Sequence, residues 1–239
     1  MNIVLFEESD LGRELPLRDE RAAHVLKVLR RGVGDEFDAG LIDGARGKAT
    51  IKKILDTGLV MDFEWGDAKP ELLPIDLVVG LSRPQTMRKI LNEATTLGVR
   101  SIRFVATERG EPSYAESKLW STGEWRRHVL AGVTQAFTTR VPLVSWGMAM
   151  KDVLDELGNV DSRKLCLDNY EGVKRLGKVL GGTRFSAVAL AIGSERGWTG
   201  WERDLFREMD WTLVGMGERV MRTETAVVAA VSVARELMG

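Results

Sequence analysis

Two glycine-bearing segments, Gly193-Ser194-Glu195-Arg196-Gly197 and Gly215-Met216-Gly217-Glu218-Arg219, each follow a short β-rich apolar stretch, FSAVALAIG and WTLVG. Glycines let a main chain take positive φ and let a flat ligand approach its amides, although the same residues also serve ordinary turns. In an open α/β sheet, ligands bind outside the carboxyl ends of strands, which is where both loops fall. The first loop runs into Thr199-Gly200-Trp201-Glu202, a capping-box pattern that starts a helix. The second runs into Arg219-Val220-Met221-Arg222-Thr223-Glu224-Thr225-Ala226 and so places Arg222 and Glu224 where a loop becomes the last helix. Helix starts favour anions, so Glu224 suits the first turn of a helix and Arg222 reads equally as its exposed partner.

Other patterns carry less. Gly172-Val173-Lys174-Arg175-Leu176-Gly177-Lys178-Val179 nearly spells a P-loop, but Val179 stands where the motif needs the magnesium-binding hydroxyl. No G-x-G-x-x-G follows a first strand. On a helix read over roughly Asp19–Arg31, Ala22, Val25, Leu26 and Leu29 form an apolar stripe. His24, Lys27 and Arg31 line the other side with Arg30 beside them, a pattern that fits either a stripe tracking phosphates or a solvated face. One cysteine, Cys166, and two scattered histidines, His24 and His128, argue against a disulfide or a zinc site.

The elements that must position these residues come in two rhythms. Up to Trp65 the chain reads as strands Ile3–Phe6, Glu36–Ile42, Lys48–Leu55 and Leu59–Trp65 around one short helix, a small β-barrel-like domain. Asp67–Pro74, with two prolines and two acids, reads as a linker. From Ile75 short buried strands (IDLVVGL, RSIRFVA, RKLCLD, FSAVALAIG, WTLVG) alternate with amphipathic helices such as Pro84–Leu97 and Glu124–Phe137, which predicts an α/β fold with a mainly parallel sheet. The expected domains are 1–72 and 73–239.

Composition sets the boundaries of the reading. At 239 residues, 44% hydrophobic and 29% charged, the chain has the composition of a folded globular protein. No apolar run reaches the roughly 20 residues of a membrane helix and no signal peptide opens the chain, so a cytoplasmic protein without a membrane partner is expected. The net charge of −1 gives no global pull toward nucleic acid. Residues 1–72 hold 11 basic and 15 acidic side chains, so any RNA-binding surface must be local.

Taken together, the two loops resemble the signatures of the RsmE family of 16S ribosomal RNA methyltransferases, within the SPOUT class. The family reads Ile-Gly-Pro-Glu-Gly-Gly, then a capping Ser/Thr and an acid; here stand Ile192-Gly193-Ser194-Glu195-Arg196-Gly197 with Thr199 and Glu202. Its second signature, Leu-Gly-x-Arg-Ile/Val-Leu-Arg-Thr-Glu-Thr-Ala, is similar to Met216–Ala226. Weaker marks follow in order: His24–Arg30, Leu97-Gly98-Val99, Glu108-Arg109, and Gln135 with Arg140 and Pro142. The chain departs from the family at Ser194 and Arg196, at Asn92–Thr96 (with Glu93), where relatives carry Gln-Lys-x-x-Glu, and in lacking an N-terminal arginine in MNIVLF.

The resemblance implies a PUA-like RNA-binding β-barrel domain followed by a SPOUT domain whose C-terminal segment forms a trefoil knot. It implies S-adenosylmethionine held by Leu167, Ile192, Gly193, Glu195, Gly197, Leu213, Met216, Gly217, Val220 and Met221, and catalysis by Arg222 and Glu224. Contacts to 16S ribosomal RNA or the small ribosomal subunit fall to His24, Lys27, Arg30, Arg31, Arg140 and Arg219. A homodimer and methylation at uracil N3 are also implied, without metal. Attack by N3 needs no cysteine nucleophile, so Cys166 reads as a buried hydrophobe. Ribose 2′-O-methylation, or RNA binding without catalysis, are the alternatives.

Overall fold

The structure, a computed structural model, describes residues 3–66, 70–182 and 184–238. It divides into two compact units, residues up to Glu71 with Val133–Val141, and Leu72–Gly132 with Pro142 onward. The first crossing falls beside the division expected at 72/73. The return of Val133–Val141 to the first unit was not legible. Asp67–Lys69 of the expected linker lie outside the described residues, and Leu73 and Pro74 already belong to a strand.

In the first unit, β1 (Val4–Phe6), β2 (Leu15–Pro16), β3 (Glu36–Leu41), β4 (Arg46–Ile54) and β5 (Gly58–Trp65) form a curled sheet in the order β1-β3-β4-β5-β2. Only β1 and β3 run parallel; the other neighbours are antiparallel. Alternate side chains, among them Phe37, Ala39, Ala49, Ile51, Leu59 and Met61, enclose one core with Phe6. The expected helix is shorter than its pattern. Asp19 caps α1 (Glu20–Ala23) by accepting from the Arg21 amide at 2.9 Å. The chain then widens into a π turn, His24–Val28, with Leu29 N bonded to His24 O at 2.9 Å. Arg30 takes a left-handed φ of 54° and Arg31 N reaches Val25 O at 3.1 Å, closing the helix end. Arg30 and Arg31 therefore leave the helix, and the single basic stripe through His24, Lys27 and Arg31 does not form.

In the second unit seven strands run parallel: β6 (Leu73–Gly80), β7 (Val99–Val105), β8 (Leu143–Met148), β9 (Arg163–Leu167), β10 (Lys174–Arg175), β11 (Val188–Ile192) and β12 (Thr212–Gly215). Their order is β10-β12-β9-β11-β6-β7-β8. The helices are α2 (Pro84–Thr96), α3 (Lys118–Ser121), α4 (Glu124–Gln135), α5 (Met150–Gly158), α6 (Leu176–Gly181), α7 (Gly200–Glu208) and α8 (Thr223–Leu237). The apolar faces of α5 and α7 cover Val78, Cys166 and Ala191 on one sheet face. On α2, Met87, Ile90, Leu91 and Ala94 are buried at i, i+3, i+4 and i+7, and α8 packs beside them and over β6 and β11. No helix among the described residues is long and apolar enough to cross a membrane.

Two buried carboxylates tie this layer together at opposite ends of the strands. Near the amino end, Asp76, 2% exposed, is bonded by Arg100 and Ser101 and lies 3.5 Å from Arg103. Burial pulls its carboxyl up, but hydrogen bonds from Arg100 and Ser101 and the two arginine charges outweigh it and hold it below the usual carboxylate range. At the carboxyl end Glu202, 1% exposed, closes the capping box of α7: Thr199 N donates to its Oε2 at 2.7 Å, and Glu202 N donates to Thr199 Oγ1 at 3.3 Å. Its other oxygen accepts from Glu108 N at 2.7 Å, in the loop after β7.

Asp76→Asn is expected to lower stability by about 2 kcal/mol at neutral pH, because Arg100 and Arg103 lose the buried carboxylate they share, Arg103 keeping only Glu156 at 3.8 Å. A depressed folded-state pKa contributes stability above the unfolded value near ~4, lost as pH falls. Denaturant titrations should therefore find the gap between wild type and variant narrowing below about pH 4. Glu202→Gln must turn an NH2 group toward one main-chain N–H, at a cost of about 2 kcal/mol. Hydrogen exchange should then quicken in both the 107–110 and 193–199 loops; faster exchange in one alone would refute the bridge.

Candidate active site

A cleft of about 980 Å³ opens at the carboxyl ends of β6, β7, β9, β11 and β12, in the second unit. Its walls come from the loops after those strands and from the first turns of α2 and α8. The cleft follows from topology, since β11 enters the sheet between β9 and β6, so chain segments leave the strand ends in different directions.

Close main-chain approaches shape it. A Cβ on Gly80 would sit 2.5 Å from Ser194 N, so only glycine lets the loop after β11 cross the end of β6. Gly197 has φ +64°, which closes the same loop with Gly197 N bonded to Ser194 O at 2.9 Å. Beyond it, Trp198 is 1% exposed, and its indole N–H donates to Leu167 O at 3.1 Å, fixing the end of β9. The segments after β9 and β12 also pass in main-chain contact: Asp168 N donates to Val214 O at 2.9 Å, and a Cβ on Gly172 would meet Val214 C at 2.4 Å. Gly172, the first residue of the P-loop lookalike, thus serves a chain crossing.

Three of the four acids that line the cleft are committed to the scaffold. Asp168, 5% exposed, accepts from the Tyr170 and Glu171 amides at 2.8 and 2.6 Å and from Arg203 Nε at 2.8 Å, holding the loop after β9. Glu195 accepts from Arg83 N at 3.1 Å and Thr86 Oγ1 at 3.3 Å, serving as the missing cap of α2. Glu224 accepts from Lys89 Nζ at 3.0 Å. Burial raises its carboxyl, but hydrogen bonds from its own main-chain N–H and Lys89, with the charges of Lys89 and Arg222, leave it below the usual range. Glu224 is therefore an ionised and weakly basic group. Arg222 is the N-cap of α8, exposed at the cleft wall.

Of the residues singled out from sequence, Arg222, Glu224, Leu167, Ile192, Gly193, Glu195, Gly197, Met216, Val220 and Met221 line this one cleft. Leu213 directs its side chain into the core beside Cys166, its register partner, and Gly217, at φ +111°, shapes the loop without lining the cleft. Cys166 is fully buried and its thiol is pushed up by that burial, so it offers no nucleophile. His24, Lys27, Arg30, Arg31 and Arg140 lie in the first unit, where Arg140 Nη1 donates to Asp43 O at 3.3 Å. Arg219 is exposed on the loop after β12. Arg83, Lys89 and Tyr114 also line the cleft and were missed, as does Arg109, which the sequence showed only as a family mark, because only tertiary structure brings the loops after β6 and β7 to those after β11 and β12. Among the described residues no group of His, Cys, Asp and Glu could hold a metal ion.

Comparison with known proteins agrees with this geometry. A family model described as RNA methyltransferase domain matches residues 69–235. Ribosomal RNA small subunit methyltransferase E of Treponema pallidum is 38% identical, covering 98% of this chain and 90% of that protein. The Borreliella burgdorferi protein named ribosomal RNA small subunit methyltransferase E 1 is 26% identical over 96% of this chain and 95% of its own. The solved ribosomal RNA small subunit methyltransferase E of Neisseria gonorrhoeae, bound to S-adenosyl methionine, superposes with a TM-score of 0.80 at 24% identity, covering 99% of this chain and 98% of that one. A Legionella pneumophila protein in complex with the bound cofactor SAM gives 0.80 at 22% identity, with 100% and 99% covered. With a mixed α/β fold, a cleft at the strand ends and relatives that match nearly its whole length, the chain is an RNA methyltransferase and belongs to the ribosomal RNA small subunit methyltransferase E family.

Proposed function

We propose that this protein methylates N3 of a uridine in 16S ribosomal RNA, with S-adenosylmethionine as donor. The observation that carries the reading is the single cleft that gathers both glycine-bearing loops with Arg222 at the carboxyl ends of parallel strands. The donor fits the residues present. Leu81, Leu167, Ile192 and Met216 give apolar walls for an adenosyl group, and the glycine-permitted loop from Ile192 to Gly197 exposes main-chain groups to it. Leu213 and Gly217 contribute main chain and loop shape, with Val220 and Met221 on the far wall. The bound donor supplies an electrophilic methyl group on sulfur.

Uracil N3 becomes nucleophilic only as its imide proton leaves, because the neutral nitrogen's lone pair is delocalised into two carbonyls. Arg222, placed against a uracil carbonyl, stabilises the oxyanion that develops, a contribution of about 3 kcal/mol for one such donor. Glu224, ionised and held by Lys89, suits positioning better than proton abstraction. As the N–C bond forms, the S–C bond breaks, and the imide proton passes to solvent or a nearby base.

The main-chain crossing at Gly172 and Val214 supports a trefoil knot in the C-terminal segment, and the curled five-stranded sheet supports a PUA-like barrel. His24, Lys27, Arg30, Arg31, Arg140 and Arg219 are then RNA contacts, supported by the exposure of Lys27, Arg30, Arg31 and Arg219. Exposed Val173 and Val220, 93% and 80% accessible, support a homodimer that covers them. Such a protein works in the cytoplasm, where its ribosomal substrate is assembled.

Arg222→Ala is expected to lower single-turnover methylation at least ~100-fold while S-adenosylmethionine affinity by calorimetry stays within about twofold. An unchanged rate would make Arg222 structural. N3 methylation blocks Watson–Crick pairing, so reverse transcription across 16S RNA from cells lacking the gene should lose one stop; an identical stop pattern would refute uridine N3. Light scattering at micromolar protein should give twice the 26.5 kDa chain mass, and a monomeric mass would exclude the dimer.

A further inference from the structure

The cleft carries more positive charge than its ion pairs consume. Each of Asp168, Glu195 and Glu224 is engaged as described above, and Glu111 accepts only the Ser113 hydroxyl, at 3.2 Å. Among the described residues no acid lies within ion-pair distance of Arg83 or Arg109, both exposed on the cleft wall. They leave from different strands, Arg83 after β6 and Arg109 after β7, yet both face the cleft that contains Arg222.

Arg196 links the loops further. It stands where the family signature has glycine, and its Nη1 donates to Arg109 O at 3.4 Å, so a guanidinium from the loop after β11 braces the main chain that carries Arg109. Unpaired guanidinium groups at the edge of a cleft match phosphate oxygens, which they can take through two parallel N–H bonds. A chain of net charge −1 has no long-range attraction for RNA, so it needs such a local grip beside its chemistry.

We propose that Arg83 and Arg109 bind phosphodiester groups of the RNA strand entering the cleft, with Arg196 as a positioning residue for Arg109. The proposal rests on the RNA substrate proposed above and adds which residues of the methyltransferase unit grip its backbone. It distinguishes them from Arg222, which faces the reacting base, and from the loops that hold the donor.

The test is fluorescence anisotropy with a labelled 16S RNA fragment that the wild-type protein methylates, titrated from roughly 50 to 300 mM salt. Arg83→Gln and Arg109→Gln should each weaken binding and each reduce the slope of log affinity against log salt by about 0.7, the value for one single-strand phosphate contact. Arg83→Lys and Arg109→Lys should keep the slope. S-adenosylmethionine affinity should be unchanged in all four, which also reports that they are folded. Arg196→Gly should weaken binding in the parent but add nothing to Arg109→Gln, the signature of two residues acting through one contact. Unchanged slopes in variants that still bind the donor would overturn the phosphate grip and leave the methyltransferase reading intact. Lost donor affinity in a variant with an unchanged melting temperature would reassign the arginines to the donor and overturn the grip, and additive losses for Arg196 would overturn its positioning role. A wild-type protein that neither binds nor methylates the fragment would remove the RNA reading itself, and the grip with it.

Discussion

A buried carboxylate holds the working end of the sheet together. Glu202, 1% exposed, uses one oxygen to cap its own helix at Thr199 N and the other to accept from Glu108 N. Helix starts leave main-chain N–H groups without partners, and loop crossings do the same. One side chain satisfies both at once, and so fixes the loop after β11 against the loop after β7. Trp198, wedged between Gly197 and that cap, reaches back to the end of β9. Removing the carboxylate would loosen the loops after β7 and β11 that it joins, while the loop after β9 keeps its own bonds through Asp168.

The same economy governs the electrostatics. A cleft lined by Asp168, Glu195 and Glu224 could repel a polyanion, but each acid is committed to the scaffold: to Arg203, to the start of α2, and to Lys89. Apart from exposed Glu111, what remains open in the cleft is cationic: Arg83, Arg109 and Arg222. A near-neutral chain thereby gathers unopposed arginines at the cleft without a basic overall composition. Glu224, the one carboxylate that the sequence placed in catalysis, is bonded to Lys89 beside Arg222.

Much of the site was legible in the sequence because it is local. A strand, a glycine loop and a capped helix occupy consecutive residues from Val188 to Glu208, and their spacing announces the turn. Arg222 and Glu224 sit at a helix start for the same reason. The edge strand β8 escaped notice because its residues are only partly buried and a register irregularity breaks its alternation. The helix near His24 misled by continuing its apolar period, whereas the chain widens into a π turn and then closes at Arg30, where left-handed backbone ends the helix.

By itself the sequence determined the two rhythms of the chain, the loops that shape the cleft and the residues of the α8 entrance, because propensity, periodicity and capping act over a few residues. Only the tertiary structure decided which loops meet. Strand order brings the segments after β6 and β7 to those after β11 and β12, and the close approaches at Gly80 and Gly172 need backbone partners more than 40 residues away in the chain. It also decided what each charge does. Glu195 and Glu224 were singled out with Arg222 as site residues, yet their bonds to the start of α2 and to Lys89 depend on that packing, which no local spacing encodes.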